Sequence, residues 1–215
     1  MFSGEQRIDK PGTPVRADTE LEVRGREHPW VSRGGLKLDH ILSKFDIDVT
    51  GMTALDVGAS TGGFTDVLLS RGAKVYAVDV GYGQLHWKLR NDERVVVMER
   101  TNARHLTEED IPDPIDIVVC DASFIGLEKV LPVPMSLTRP GAWLCALIKP
   151  QFEVGKGEVG KGGIVRDPAL RDAVCRRIED WIAGLPGWRV IGIDESPVTG
   201  ADGNVEFLIA ARRDG

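Results

Sequence analysis

Apolar residues in this chain fall into short continuous runs and into helically spaced stripes, and the two patterns alternate. A continuous run predicts a strand covered on both faces, whereas helical spacing predicts a helix that packs on one side. One helical stripe, at Leu38, Ile41, Leu42 and Phe45, precedes the first strand, and another follows the N-cap residue Asp167. Predicted strands cover residues 53–57, 74–80, 94–98, 115–121, 142–149, 189–194 and 204–211, and predicted helices between them cover residues 64–71, 84–90, 128–135 and 168–185.

The alternation of strand and helix defines the expected fold. Strands joined through helices form right-handed crossovers and a parallel sheet. The last two strands have no helix between them, because only the Gly- and Asp-rich residues 199–203 join them, and they would add an antiparallel edge. The sequence therefore predicts an α/β, Rossmann-like fold with a mostly parallel seven-stranded sheet and an antiparallel final strand pair. This arrangement is typical of S-adenosylmethionine-dependent methyltransferases more than of dehydrogenases.

The first strand runs into a glycine-rich turn directly before a helix. A nicotinamide dinucleotide loop has the pattern G-x-G-x-x-G, whose middle glycine clears the pyrophosphate, and here Ser60 holds that position. Asp56 places a carboxylate beside the loop, which suits a cationic cofactor that bears an amino group. The pattern therefore favours S-adenosylmethionine over NAD. The candidate cofactor-binding residues in this segment are Asp56, Gly58, Ala59, Ser60, Thr61, Gly62, Gly63 and Phe64.

Three further residues extend the predicted cofactor site. Asp79 ends the second strand, 23 positions after Asp56, close to the spacing expected for an acid that recognises ribose hydroxyls. Asn102 and Ala103 follow the third strand, where the adenine ring would lie. Asp121, at the end of the fourth strand, borders the same site and is also a candidate cofactor contact.

Charged residues lie at or near the carboxyl ends of strands, where open α/β sheets bind their ligands. Asp121 and Lys149 lie at such ends, and Glu206 lies on the final strand. Lys37, on the helix before the first strand, could complete a set of four. Each residue taken alone could equally form a surface salt bridge. Lys149 is less ordinary, because it ends an apolar run and Pro150 then starts a predicted glycine-rich loop over residues 150–166 rather than a helix.

Several segments together resemble the hemolysin-A-type branch of the FtsJ-like RNA 2′-O-methyltransferases. The resemblance extends from about residue 30 to the end of the chain. It implies a Lys-Asp-Lys-Glu catalytic tetrad at Lys37, Asp121, Lys149 and Glu206, S-adenosylmethionine as cofactor, and ribosomal RNA as acceptor. The matching segments are VSRGGLKL (31–38), ALDVGASTGG (54–63), VGYGQL (80–85), DASFI (121–125), IKPQFE (148–153), GKGG (160–163) and NVEF (204–207).

The chemistry of ribose methylation suggests a role for each residue of this tetrad. A ribose hydroxyl is a poor nucleophile, so the enzyme must align it with the methyl donor and accept or stabilise one proton. Lys149 is the candidate base, and burial together with a nearby cation at Lys37 would help it to lose its own proton. Asp121 and Glu206 would oppose that loss but orient the two ammonium groups. Proton removal and stabilisation of the alkoxide remain alternatives for Lys149.

The N-terminal residues 1–29 are polar and differ from the rest of the chain. Under the family resemblance they are the remnant of a small ribosomal-protein-type RNA-binding domain plus a linker, with a short alternating stretch over residues 19–23, while residues 30–215 form the methyltransferase domain. The helix pair that contacts RNA in the family would lie upstream. The net charge of −6 gives an RNA partner no support, although residues 71–104 and 149–166 are locally basic.

Composition limits the cellular setting. No apolar run approaches the roughly 20 residues needed to span a bilayer, and the N-terminus has no apolar signal core. The three cysteines form no cluster at zinc spacing. We therefore expect a cytoplasmic protein with no metal and no membrane partner that acts on ribosomal RNA or ribosomal subunits; its oligomeric state stays open.

Two other functions remain compatible with the sequence. A non-catalytic RNA- or ribosome-binding factor could keep the fold without turnover, and a small-molecule methyltransferase would agree with the acidic composition. Other methylation chemistries fit less well. The segment Asp121-Ala122-Ser123-Phe124 lacks both prolines of the D-P-P-Y motif of amino-group methyltransferases, and Cys120 lies inside a strand rather than in the exposed loop that a cysteine nucleophile requires.

Overall fold

A seven-stranded sheet forms the centre of the protein in a computed structural model, which describes residues 2–3, 6–7, 14–16, 19–20, 28–155, 157–200 and 202–215. A two-stranded antiparallel ladder, β1 (Phe2–Ser3) with β2 (Gln6–Arg7), precedes it. The central strands lie in the order β5-β4-β3-β6-β7-β9-β8. Their bounds are β3 Thr53–Val57, β4 Lys74–Val78, β5 Val95–Met98, β6 Ile115–Cys120, β7 Thr138–Ile148, β8 Trp188–Glu195 and β9 Phe207–Arg213.

Helices cover both faces of this sheet. Helices α1 and α2 pack on one face, where Leu38 and Leu68 meet Ala54 of β3. Helix α7 packs on the other face, where Ile178 lies in one apolar cluster with Leu55. Alternate residues of β3 thus enter opposite cores, as the two-residue period of a strand requires. The helices are α1 Gly34–Lys44, α2 Gly63–Ser70, α3 Trp87–Arg90, α4 Leu127–Val130, α5 Pro132–Ser136, α6 Pro150–Glu153 and α7 Pro168–Ala183, and one 3₁₀ turn covers Ala103–His105.

Strand direction determines which residues share an edge of the sheet. Strands β3 to β7 run parallel to one another, so their carboxyl ends lie at one edge. Strand β9 runs antiparallel to β7, and Phe207 pairs with Ile148. Because of that reversal, the residues just before β9 lie at the same edge as the ends of β6 and β7. Glu206 therefore reaches this edge from the amino end of its strand, whereas Asp121 and Lys149 follow the carboxyl ends of β6 and β7.

The predicted fold class is confirmed, including the antiparallel final strand pair, which consists of β8 and β9. Several local predictions are wrong. The segment predicted as a loop over residues 150–166 begins with helix α6, because a proline at the first helical position loses no intrahelical hydrogen bond. The helix predicted over residues 128–135 is divided at Leu131 into α4 and α5, and Pro132 begins the second. The final strand starts at Phe207 rather than at residue 204.

The predicted alternating stretch over residues 19–23 lies largely outside the described residues. The assignment of residues 1–29 to a remnant RNA-binding domain stays a prediction for the same reason. Among the described residues, none of the helices combines the length and apolar character that crossing a bilayer demands.

Candidate active site

The glycine-rich turn after β3 forms the floor of a cavity of about 560 Å³ at the carboxyl edge of the sheet. Gly58 has a φ of 82°, and a Cβ atom there would lie 2.9 Å from Ala122 Cα, so a side chain at this position would collide with the backbone of the next strand end. The wall contains the predicted cofactor residues Ser60, Asp79, Asn102, Ala103 and Asp121. Its apolar lining is formed by Val57, Val78, Val80, Ala122, Ile125 and Val130.

Asp79 organises the rim of this cavity. Its Oδ2 accepts a hydrogen bond from Ser60 N at 2.8 Å, and its Oδ1 accepts one from Gly81 N at 2.7 Å. Each carboxylate oxygen retains further acceptor capacity. The carboxylate therefore joins the glycine-rich turn to the end of β4 and can still accept hydrogen bonds from ligand hydroxyls.

Asp56 lies beneath the turn instead of in the cavity wall. Its side chain is fully buried, and its Oδ2 accepts a 2.6 Å hydrogen bond from Thr65 Oγ1. Burial raises its pKa to about 7; the charges of Asp121 and Asp79 act in the same direction, and the hydrogen bond from Thr65 opposes them. Asp56 Oδ1 has no hydrogen-bond partner among the described residues.

Two members of the predicted cofactor set line neither this cavity nor a second cavity beside it. One is Asp56, and the other is Gly62, which caps α2 and at which a Cβ atom would lie 2.3 Å from the side chain of Leu89. Gly62 therefore has a packing role that its place in the motif did not reveal. The remaining loop residues Ala59, Thr61, Gly63 and Phe64 line a second cavity.

This second cavity, of about 500 Å³, adjoins the first and shares Gly58, Ser60, Asp121, Ser123 and Phe124 with it. All four residues predicted as a catalytic tetrad line it: Lys37, Asp121, Lys149 and Glu206. They come from α1, from the ends of β6 and β7, and from the residue before β9. The fold therefore brings together the residues that the sequence proposed.

The four charged groups form a continuous chain of contacts. Lys149 Nζ lies 2.7 Å from Asp121 Oδ1 and donates hydrogen bonds to Asp121 O at 2.8 Å and Ser123 Oγ at 3.0 Å. Lys37 Nζ lies 2.6 Å from Glu206 Oε2 and 3.9 Å from Asp121 Oδ1. The side chain of Asp121 is 22% exposed, whereas those of the other three are at most 10% exposed. Two ammonium groups and two carboxylates leave the cluster neutral overall.

Sequence reasoning missed three residues that fix these groups. Ser123 accepts a hydrogen bond from Lys149. Gln151 Nε2 donates to Glu206 Oε1 at 3.1 Å. A Cβ atom at Gly200 would lie 2.6 Å from Glu206 Oε1, so a side chain there would displace that carboxylate from its present position. Ser123 and Gln151 do stand in the segments DASFI and IKPQFE, which carried the family resemblance, but nothing in the sequence assigned them a contact.

The site does not offer a cysteine nucleophile at Cys120. That thiol is completely buried, and burial raises its pKa to about 12. Within the described part of the chain there is also no group of three or more histidine, cysteine, aspartate or glutamate side chains arranged to hold a metal ion. The chemistry available at this edge is that of buried lysines and carboxylates beside a glycine-rich turn.

The chain matches the sequence profile of the FtsJ-like methyltransferase family over residues 30–213. It belongs to that family, which confirms the resemblance drawn from its motifs. A relative from Mycobacterium tuberculosis, the 16S/23S rRNA (cytidine-2′-O)-methyltransferase TlyA, is 52% identical over an alignment of 221 positions, gaps included, which covers 98% of this chain and 81% of the relative.

Solved structures agree with this assignment. A candidate hemolysin from Streptococcus thermophilus is 43% identical and superposes with a TM-score of 0.86, over 97% of this chain and 76% of that one. An O-methyltransferase from Bacillus cereus in complex with SAH is 17% identical, with a TM-score of 0.57 over 87% and 84% of the two chains. The latter likeness concerns the fold alone, and it is the methyltransferase fold.

Proposed function

We propose that this protein is an S-adenosylmethionine-dependent methyltransferase that modifies a ribose 2′-hydroxyl of ribosomal RNA, with Lys37, Asp121, Lys149 and Glu206 as its catalytic tetrad. The observation that carries the proposal is the position of the tetrad. It lines the second cavity, and its member Asp121 lies on the border with the cavity that holds the candidate cofactor residues. One cavity would hold the methyl donor and the other the acceptor.

The first cavity has the features that S-adenosylmethionine requires. Its apolar lining suits an adenine ring, Asp79 has acceptor capacity for ribose hydroxyls, and Gly58 allows a ligand to approach the backbone closely. Asn102 and Ala103 would contact the adenine. When bound, the cofactor supplies an electrophilic methyl group on a sulfonium centre.

Lys149 is the residue proposed to handle the proton of the acceptor hydroxyl. Its Nζ lines the second cavity, and its hydrogen bonds to Asp121 O and Ser123 Oγ fix the direction of the ammonium group. As a neutral amine, Nζ can receive the hydroxyl proton; as an ammonium group, it can instead stabilise the oxygen as that proton leaves to solvent. A positioned acid–base group of this kind contributes roughly 10²- to 10⁴-fold to a rate.

Lys37 and Glu206 are proposed to set the charge around Lys149. The Lys37 ammonium group lies between Glu206 and Asp121, so the negative charge of Asp121 is shared between the two lysines. Gln151 donates a hydrogen bond to Oε1 of Glu206, and Lys37 donates one to Oε2 of the same carboxylate. The tetrad residues therefore act as one electrostatic unit.

Ribosomal RNA is proposed as the acceptor from the family and from the TlyA relative, whose name specifies cytidine 2′-O-methylation of 16S and 23S rRNA. The enzyme would act in the cytoplasm on ribosomal RNA or ribosomal subunits. Residues 1–29 would then be the end of an RNA-binding domain and its linker, ahead of a methyltransferase domain over residues 30–215.

The test is transfer of labelled methyl groups from S-adenosylmethionine to unmodified ribosomal subunits and to naked rRNA, followed by nucleoside analysis. The expected result is label in a 2′-O-methylated nucleoside. Label in a base-methylated nucleoside would contradict the ribose assignment. RNA binding without any transfer would favour a non-catalytic binding factor, and transfer to small hydroxylated molecules alone would favour a small-molecule methyltransferase.

A further inference from the structure

Glu153 is a nearly buried carboxylate next to the active site that the proposed reaction leaves without a role. It ends α6, and its side chain is only 4% exposed. Leu127 N donates a 2.7 Å hydrogen bond to Glu153 Oε1, and Arg177 donates to Glu153 Oε2 at 2.8 Å. It is absent from the linings of both cavities, so it would act through other residues.

Leu127, whose backbone N–H binds Glu153, lies at the end of the loop that contains Asp121 and Ser123. Lys149 holds the start of this loop, through its bonds to Asp121 O and Ser123 Oγ. Glu153 holds the far end through Leu127 N. Both anchors come from one short segment, residues 149–153, so a single stretch of chain after β7 clamps the whole loop after β6.

The loop between these anchors is strained. Phe124 has a φ of 66°, a left-handed conformation that costs a residue with a Cβ atom about 1–2 kcal/mol and persists only where the surroundings enforce it. Its side chain is 90% exposed, and its ring centroid lies 4.9 Å from that of Phe152. An exposed ring with one aromatic neighbour constrains the backbone little, so other contacts must hold this conformation: the anchors at the two ends of the loop and the packing of Ala122 and Ile125 against the apolar core.

The surroundings of Glu153 suit a carboxylate that anchors the end of this loop. At Gly126 a Cβ atom would lie 3.1 Å from Glu153 Oε2, so any larger residue there would crowd the carboxylate. A buried carboxylate is costly unless it is paired, and Arg177 of α7 supplies the pairing charge. Arg177 also contacts Glu128 at 2.8 Å on the exposed side. The Glu153 carboxylate thus joins α4, α6 and α7 at one point.

We propose that Glu153 is a positioning residue that fixes the loop over residues 121–127 and thereby sets Ser123 and Asp121 O against Lys149 Nζ. This inference rests on the proposed function for its kinetic consequence. Without the Glu153 anchor, the loop relaxes from its strained conformation, and the hydrogen bonds that direct the Lys149 ammonium group lengthen. Binding of the methyl donor should weaken less than the rate falls, because residues 121–125 form only one wall of the cofactor cavity, and Asp79 and Gly58 lie on other elements.

The test compares Glu153→Ala and Glu153→Gln with the wild type, with active enzyme quantified by calorimetric titration with S-adenosylmethionine. For Glu153→Ala we expect kcat to fall roughly 10- to 100-fold and the affinity for S-adenosylmethionine to fall by less, since displacements near 1 Å in a catalytic group have effects of that size on the rate. Glu153→Gln keeps an acceptor for Leu127 N and should retain most of kcat.

Two controls separate positioning from general destabilisation. Glu128→Gln removes the other partner of Arg177, and Asp113→Asn breaks an ion pair with Lys74 at the opposite edge of the sheet. Neither should alter kcat. An unchanged kcat in Glu153→Ala would overturn the proposal.

A second measurement does not depend on activity. Hydrogen exchange followed by mass spectrometry should show exchange in residues 121–127 at least about tenfold faster in Glu153→Ala than in the wild type, which corresponds to about 1.4 kcal/mol of lost protection. If the wild type transfers no methyl group, the proposed function fails, and this exchange measurement alone decides whether Glu153 holds the loop. Equal exchange in both proteins would overturn the positioning role.

Discussion

Lys149 Nζ lies 2.7 Å from Asp121 Oδ1, although the two residues are far apart in the chain and follow different strands. Their meeting is a consequence of topology, because β6 and β7 are parallel neighbours that end at the same edge of the sheet. Asp121 also lies 3.9 Å from Lys37 Nζ. One carboxylate therefore stands between the two ammonium groups of the tetrad, which makes the four residues a single charge system.

The pair between Lys37 and Glu206 should be sensitive to removal of one partner. Glu206→Ala leaves the Lys37 ammonium group buried without its close counter-charge, and we expect a loss of about 3–5 kcal/mol in the free energy of unfolding. The double variant Lys37→Met with Glu206→Leu should recover much of that loss while remaining inactive. Urea denaturation of the three proteins measures this. A single variant within about 1 kcal/mol of the wild type would mean that the pair is not desolvated as described.

Gly58 should be required for cofactor binding and not only for backbone conformation. In Gly58→Ala the new Cβ atom meets Ala122 Cα at 2.9 Å, so the turn must move, and we expect S-adenosylmethionine affinity to fall by at least about tenfold, or about 1.4 kcal/mol. Gly187→Ala is the matched control, because Gly187 has a φ of 75° with no atom within 4 Å of the added Cβ. The control should lose some stability through backbone strain but keep full affinity by calorimetry. Equal affinities in both variants would contradict the assignment of this turn.

Asp56 should give the stability of the protein a characteristic pH dependence. Its pKa is raised by burial from 3.8 to about 7, so the folded protein keeps a proton that the unfolded chain releases. The stabilisation from this carboxyl group is complete below its unfolded pKa and is lost as the pH rises through 7. Relative to Asp56→Asn, the wild type should lose up to about 1.4 kcal/mol of unfolding free energy per pH unit between about pH 4 and 7.

The matched control for this measurement is Asp48→Asn. Hydrogen bonds from Thr50 lower the pKa of Asp48, so its contribution has the opposite sign: it is present above the unfolded pKa and is lost as the pH falls. Between about pH 4 and 7, urea denaturation of Asp48→Asn should therefore parallel that of the wild type, because the contribution of Asp48 changes only below about pH 4, whereas Asp56→Asn should diverge from the wild type. Parallel curves for Asp56→Asn and the wild type would show that Asp56 ionises normally.

Much of the fold could be predicted from the sequence, because its strands are continuous apolar runs that enter two cores. Asp121 and Lys149 could be located from those strands alone. The position of Glu206 needed more, since it depends on β9 running antiparallel to β7, and the family resemblance supplied what the pattern did not. The contacts of Ser123, Gln151 and Gly200 depend on side-chain directions and on distances near 3 Å, which no periodicity encodes.

Lys149→Ala in the ribosomal RNA methylation assay tests the central claim most directly. The variant should bind S-adenosylmethionine with unchanged affinity by calorimetry and yet lose roughly 10²-fold or more of the rate at which 2′-O-methylated nucleoside forms. Lys74→Ala, at the opposite edge of the sheet, serves as the control and should retain the wild-type rate. A Lys149→Ala protein that forms the same 2′-O-methylated nucleoside at the wild-type rate would contradict the account, because the chain would then transfer methyl groups without the lysine around which its tetrad is built.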